Sequence, residues 1–188
     1  MNKHQQTIQK PVSISGVGLH TGVASKLTFT PAAPNTGIRF RRTDLAGAPE
    51  IPALVDHVVE VARGTTLAVG DARVHTVEHV LSALVGLQVD NIVLEINNIE
   101  PPICDGSAKP FVDALLEAGL ESQEAEREYF VVDQTVRYIN EELGVDIVAL
   151  PTDDYRLTVM IDYQNPVLGS QHTGLFNLEK EFITDFSD

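Results

Sequence analysis

Val74-His75-Thr76-Val77-Glu78-His79-Val80-Leu81-Ser82-Ala83-Leu84-Val85-Gly86-Leu87 is the stretch on which the reading of this chain turns. Val77, Leu81 and Leu84 recur at i, i+4 and i+7, and Val80 and Leu87 widen the stripe. The spacing predicts an amphipathic helix with one face in the core. Thr76 is the expected N-cap, its hydroxyl available to a free N–H of the first turn, and Gly86 with the following Gln88-Val89-Asp90 ends the helix. Glu78 and His79 then fall in the first turn. The helix dipole favours a carboxylate there, and a neutral imidazole is a common metal ligand. An acid beside a metal-binding histidine is what a metal-assisted hydrolase needs. One group holds zinc and the other moves the proton of the zinc-bound water. The plain alternative is that the two are ordinary first-turn polar residues, and the spacing alone leaves both readings open.

The same letters suggest a second site. His75-x-x-x-His79 around a glutamate superficially matches the zinc-protease pattern of two histidines at i and i+4. In that pattern the glutamate directly follows the first histidine, whereas here it precedes the second. With Thr76 as the cap, His75 lies outside the helix and off the face of His79.

Composition bounds the function classes. The chain has 188 residues, 43% of them hydrophobic, which is globular and enough for one ordinary domain or one and a half small ones. No apolar run is long enough to span a membrane, and Met1-Asn2-Lys3-His4-Gln5-Gln6 lacks an apolar signal core. The single cysteine, Cys104, rules out an internal disulfide and fits a reducing cytosol, so a cytoplasmic location is expected. A formal net charge of −14 argues against nucleic acid or an anionic membrane as a partner.

In chain order, Thr7 to Gly16 reads as one strand, with Pro11 marking an edge or bulge. Gly16-Val17-Gly18-Leu19-His20-Thr21-Gly22 reads as a tight hairpin connection, its His20 either hydrogen-bonded locally or facing a site. Ala24–Ala32 and Ile38–Arg42 are strands. Arg39, Arg41 and Arg42 are expected to pair with surface carboxylates or, less often, to meet an anionic substrate group. Pro49 to Val61 fits a strand or an irregular segment. Gly64–Val69 and Ala72–Val74 form a hairpin around Gly70-Asp71. After the central helix, Val89–Ile96 is a buried strand. Ser107–Gly119 is a second helix, with Ser107 as N-cap and Gly119 as the stop; Asp105 is expected to cap it from outside, ahead of a catalytic role. Glu121–Arg127 is polar and apolar-poor, so a domain boundary is placed there. Tyr129–Tyr138, Val145–Leu150 and Tyr155–Tyr163 are read as strands.

Five blocks now stand in order: Gly16-Val17-Gly18-Leu19-His20-Thr21-Gly22, Arg41-Arg42-Thr43-Asp44-Leu45, Thr76-Val77-Glu78-His79, Asp90-Asn91-Ile92-Val93 and Asp105-Gly106-Ser107-Ala108. In that order the chain, from about Thr7 onward, resembles the UDP-3-O-acyl-N-acetylglucosamine deacetylase family. These are zinc enzymes of the committed step of lipid A synthesis in Gram-negative bacteria. The resemblance implies an α+β fold of two similar sheet-plus-helices domains packed through their helices. Residues 1–126 would be the first domain, carrying Glu78 and His79, and 127–188 the N-terminal part of an unfinished second.

Carried over by position, His79 matches a zinc ligand, Glu78 the general base and His20 the histidine near the substrate. Thr65 lies where the family lines its substrate site. His75 matches no ligand. The family takes its other zinc ligands from a later His-x-x-x-Asp helix, which would lie beyond Asp188. The implied partner is a UDP-linked acylated glucosamine, with no stable membrane insertion and with a C-terminal dehydratase fused in some lineages. A non-catalytic binding or regulatory module that kept the fold is the competing reading. A His-x-x-x-Asp helix further along the reading frame would favour the enzyme.

Overall fold

The computed structural model describes residues 3–188. In chain order the strands are β1 (His4–Ile8), β2 (Val12–Val17), β3 (Ala24–Pro31), β4 (Ile38–Arg42), β5 (Glu50–Pro52), β6 (Val58–Glu60), β7 (Thr66–Val69) and β8 (Ala72–Val74). Helix α1 (Glu78–Gly86), β9 (Ile92–Ile96), helix α2 (Lys109–Ala118) and β10 (Leu120–Glu126) follow. The remainder is β11 (Val136–Asn140), β12 (Val145–Ala149), β13 (Leu157–Asp162), β14 (Ser170–Leu175), a short helix α3 (Leu178–Glu181) and a last turn, Phe182–Phe186. The class is α+β.

The main sheet has the order β2-β3-β9-β4-β5, with β9 antiparallel to β3 and parallel to β4. Ile92, Val93, Leu94 and Ile96 of this central strand are buried, as suits a strand covered on both faces, and Glu95 is its one polar residue. Register then aligns Phe29, Leu94, Phe40 and Ile51 in one row across four strands, all of them fully buried. Helix α2 closes on that row, the ring of Phe111 standing edge-on to Phe29 at 6.4 Å between centroids. Val80, Ala83 and Leu84 of α1 join the same buried cluster. Each such side chain contributes roughly 1.5–3 kcal/mol by leaving water. A small sheet, β6-β7-β8, leads into α1.

The expected single strand over Thr7–Gly16 is two strands in different sheets. Pro11 cannot donate to a ladder, and the chain turns at Gln9-Lys10-Pro11. Strand β1 then pairs with β10, Ile8 opposite Leu120. The polar stretch Glu121–Arg127, where the sequence placed a domain boundary, is therefore mostly strand β10. The strand expected over Tyr129–Tyr138 starts only at Val136, and β14 was not expected.

The Asp90-Asn91 block serves as scaffold. Asn91 Nδ2 donates to the side-chain oxygens of Gln5 and Gln123, both at 2.7 Å, and its Oδ1 accepts the Gly37 N–H at 2.9 Å. Asp90 accepts from Arg127 at 2.8 and 2.7 Å and from the Gln6 N–H at 2.7 Å. The arginines of β4 serve carboxylates, as the first expectation had it. Arg41 reaches Glu50 at 2.6 Å and Glu95 at 2.9 Å, and Arg42 binds Asp44 through two bonds at 2.8 and 2.7 Å.

Residues beyond β10 form two hairpins, β11–β12 and β13–β14. Leu175 and Phe182 are buried, and a Cβ built at Gly86 of α1 would lie 2.1 Å from the Phe182 ring. Glycine at the end of α1 is thus what lets the C-terminal turn close on the helix.

Candidate active site

Helix α1 starts at Glu78, one turn of chain after β8. Its N-cap is Val77, and no side chain caps it. Thr76 is not the cap. It stands at φ 53°, a conformation costly for a β-branched residue. Its hydroxyl donates to Oε1 of Glu100 at 2.8 Å. The capping expectation rested on local preference alone, and a buried carboxylate 24 residues on has claimed the hydroxyl instead. At α2 the N-cap is Ala108. Ser107 sits one residue earlier and accepts the Lys109 N–H at 3.2 Å, itself held by Asp105 through bonds at 3.0 and 2.8 Å.

Glu78 and Thr65 are brought together. The Thr65 N–H donates to Oε2 of Glu78 at 2.9 Å, and the Thr65 carbonyl accepts the Val77 N–H at 3.3 Å. A Cβ at Gly64 would be 3.3 Å from Oε1 of Glu78, so the glycine gives this carboxylate its room. One oxygen of Glu78 is thereby fixed while the other keeps lone pairs for a proton. Both residues are half-buried and stand at the polar edge of an otherwise apolar cavity of about 340 Å³. Leu81, Val85, Leu157, Leu175, Leu178 and Phe182 supply most of its wall.

His79, next in the first turn, is half-buried. Its carbonyl accepts the Ser82 hydroxyl at 2.9 Å, and its ring bonds to no neighbour among the described residues. His75 stands apart from it: Nδ1 lies 2.8 Å from the Thr66 hydroxyl, and its N–H donates to the Ile99 carbonyl. The paired-histidine reading finds no support in that arrangement. His20 is exposed, with Nε2 3.2 Å from the Arg63 carbonyl. The His20 loop thus touches the turn that delivers Thr65.

Glu100 was not expected. It is 0% exposed and accepts the His20 N–H at 3.1 Å, the Thr21 N–H and hydroxyl at 2.9 Å each, and the Thr76 hydroxyl. Burial pushes its carboxyl up, but the N–H groups of Thr21 and His20 and the two hydroxyls outweigh that and hold it below the ordinary carboxylate value. A lone acid amid Ile99-Glu100-Pro101-Pro102, directly after a buried strand, was its one signal in the sequence.

The donor chemistry suits a metal only in part. An unengaged imidazole beside a carboxylate fits one position of a zinc site, yet a catalytic zinc takes three protein ligands. Among the described residues no group of three or more His, Cys, Asp or Glu side chains is placed to hold a metal ion. No helix among them is long and apolar enough to cross a membrane.

Comparison with known proteins adds to this geometry. The family model of UDP-3-O-acyl N-acetylglycosamine deacetylase, LpxC, matches residues 5–188. The chain is 56% identical over 98% of its length to a bifunctional enzyme LpxC/FabZ of Chlorobaculum tepidum, covering 39% of that protein. It is 39% identical over 98% of its length to the UDP-3-O-acyl-N-acetylglucosamine deacetylase of Myxococcus xanthus, covering 58% of it. The deacetylase of Coxiella burnetii is 40% identical over 89% of the chain, which covers 55% of that relative. The chain therefore spans between two fifths and three fifths of the curated relatives it matches.

Proposed function

The chain belongs to the UDP-3-O-acyl N-acetylglycosamine deacetylase family, and from that premise we propose that the whole protein hydrolyses the N-acetyl group of UDP-3-O-acyl-N-acetylglucosamine with the help of zinc. The observation that carries the reading is the pairing of Glu78, fixed through one oxygen by Thr65, with the neighbouring unengaged imidazole of His79. Glu78 acts as general base, taking the proton of the attacking water on its free oxygen. His79 is one ligand, and the others come from residues outside this chain. Bound zinc would polarise the acetyl carbonyl and acidify the water. His20, exposed beside Arg63, and Thr65 border the substrate. The apolar cavity next to Glu78 suits an acyl chain.

In this reading residues 1–126 form the first deacetylase domain, and 127–188 open the second. The identity with a bifunctional relative supports a fused dehydratase at the C-terminus. The substrate's nucleotide supports work in the cytoplasm.

The test is acetate release from the nucleotide-linked substrate by the full-length protein, before and after removal of zinc by a chelator. Release that stops on chelation and returns with zinc supports the reading. No release under either condition sinks it.

A further inference from the structure

We propose that Glu100 is a positioning residue of the deacetylase site: its carboxylate ties the His20 loop to the residue that launches α1, and so sets where Glu78 stands relative to His20. The inference rests on the deacetylase reading above, and the experiment below separates the two.

Glu100 is fully buried, and no ion pair reaches it among the described residues. A carboxylate is costly to bury unless donors surround it, and an apolar residue would serve stability alone at least as well. Here the donors come from two segments far apart in sequence, His20-Thr21 and Thr76. There is no slack in the cradle. A Cβ at Gly18 would lie 2.3 Å from Oε2 of Glu100.

The ties close a circuit around the site. Glu100 holds Thr76, Thr76 precedes Val77 and Glu78, and Glu78 accepts from Thr65. Two residues before Thr65, the Arg63 carbonyl meets His20, and the His20 N–H returns to Glu100 at 3.1 Å. Two residues of the circuit stand in the left-handed region, Arg63 at φ 60° and Thr76 at φ 53°, and Thr76, the β-branched one, lies two positions before Glu78. Its hydroxyl bond to Glu100 keeps it in that conformation. Backbone strain held by a buried partner beside a reactive group points to positioning.

The experiment uses the full-length enzyme. Thr76→Val removes the hydroxyl and keeps the shape, cutting only the helix tie; Thr76→Ser restores the hydroxyl. Glu100→Gln disturbs both ties. Misplacement of a catalytic group by about an ångström costs up to roughly 10²-fold, so Thr76→Val should lose about tenfold or more in kcat with KM little changed. Thr76→Ser should be close to wild type, and Glu100→Gln should change kcat and KM together. Wild-type kcat in Thr76→Val, or equal damage in Thr76→Ser, overturns the proposal. A readout independent of turnover is amide hydrogen exchange at His20 and Thr21, expected to quicken by about tenfold or more in Glu100→Gln. Unchanged exchange overturns the proposal as well. A wild-type enzyme without deacetylase activity would instead sink the functional reading, and exchange alone would then decide the role of Glu100.

Discussion

The Thr65 N–H donates to Oε2 of Glu78 at 2.9 Å, so the carboxylate is aimed before any substrate arrives. A glutamine at 78 keeps an oxygen for this bond and loses the ability to take a proton. In the full-length enzyme Glu78→Gln is expected to retain zinc and to lose about 10²–10⁴-fold in kcat. Initial rates together with metal content by mass spectrometry check this. A fully active variant would remove Glu78 from the role of base.

Gly18 tests the cradle of Glu100 by volume. Its added Cβ would meet Glu100 Oε2 at 2.3 Å and Thr21 Oγ1 at 2.5 Å, and neither oxygen is the free end of a flexible chain. Gly18→Ala is expected to cost roughly 1–3 kcal/mol as an overpacking change. For a chain of this size that lowers the thermal midpoint by about 2–4 °C per kcal/mol. An unchanged midpoint would mean that the loop moves aside freely.

Much of the first part of the fold could be read from pattern. Strands β3, β4 and β9 and the core faces of α1 and α2 follow from alternation and helical spacing, because each buries side chains against the sheet. Strand β10 escaped for the opposite reason. Leu120-Glu121-Ser122-Gln123-Glu124-Ala125-Glu126 earns its place through backbone pairing with β1, and its side chains are mostly polar. Helical spacing was enough to place Glu78 and His79 on the first turn of α1, while their roles belong to the function proposed above. Thr76 was misread as a cap and Glu100 was missed, since each is defined by the other across 24 residues and neither belongs to a periodic pattern.

Acid stability gives Glu100 a second test. The surrounding N–H and hydroxyl donors hold its folded-state carboxyl below the ordinary glutamate value, so the unfolded chain binds the proton more readily. The stability it contributes is complete above about pH 4.5 and is lost as pH falls through the folded value. Protonated, the group presents a donor to the Thr21 and His20 N–H groups, as the amide of glutamine does. The difference in unfolding free energy between wild type and Glu100→Gln should therefore be steady from pH 7 to about pH 5 and shrink below about pH 4.5. Urea unfolding of both proteins across that range measures it. A gap independent of pH would mean that the carboxylate is not the charged hub of the loop.

The division of ligands makes the last prediction. His79 is the one zinc ligand that the family resemblance places in these 188 residues, and no described cluster offers three donors. A single imidazole gives a small part of the affinity of a three-ligand site, so residues 1–188 on their own are expected to bind zinc weakly and to release no acetate. The full-length protein should bind tightly and lose its zinc on His79→Ala, whereas His75→Ala should keep it, since that ring is engaged by Thr66 at 2.8 Å. Calorimetric titration of the three proteins and the 188-residue chain with zinc settles each arm. Tight binding by the short chain that disappears with His79→Ala would show a complete site within it, and loss of metal on His75→Ala would revive the two-histidine arrangement.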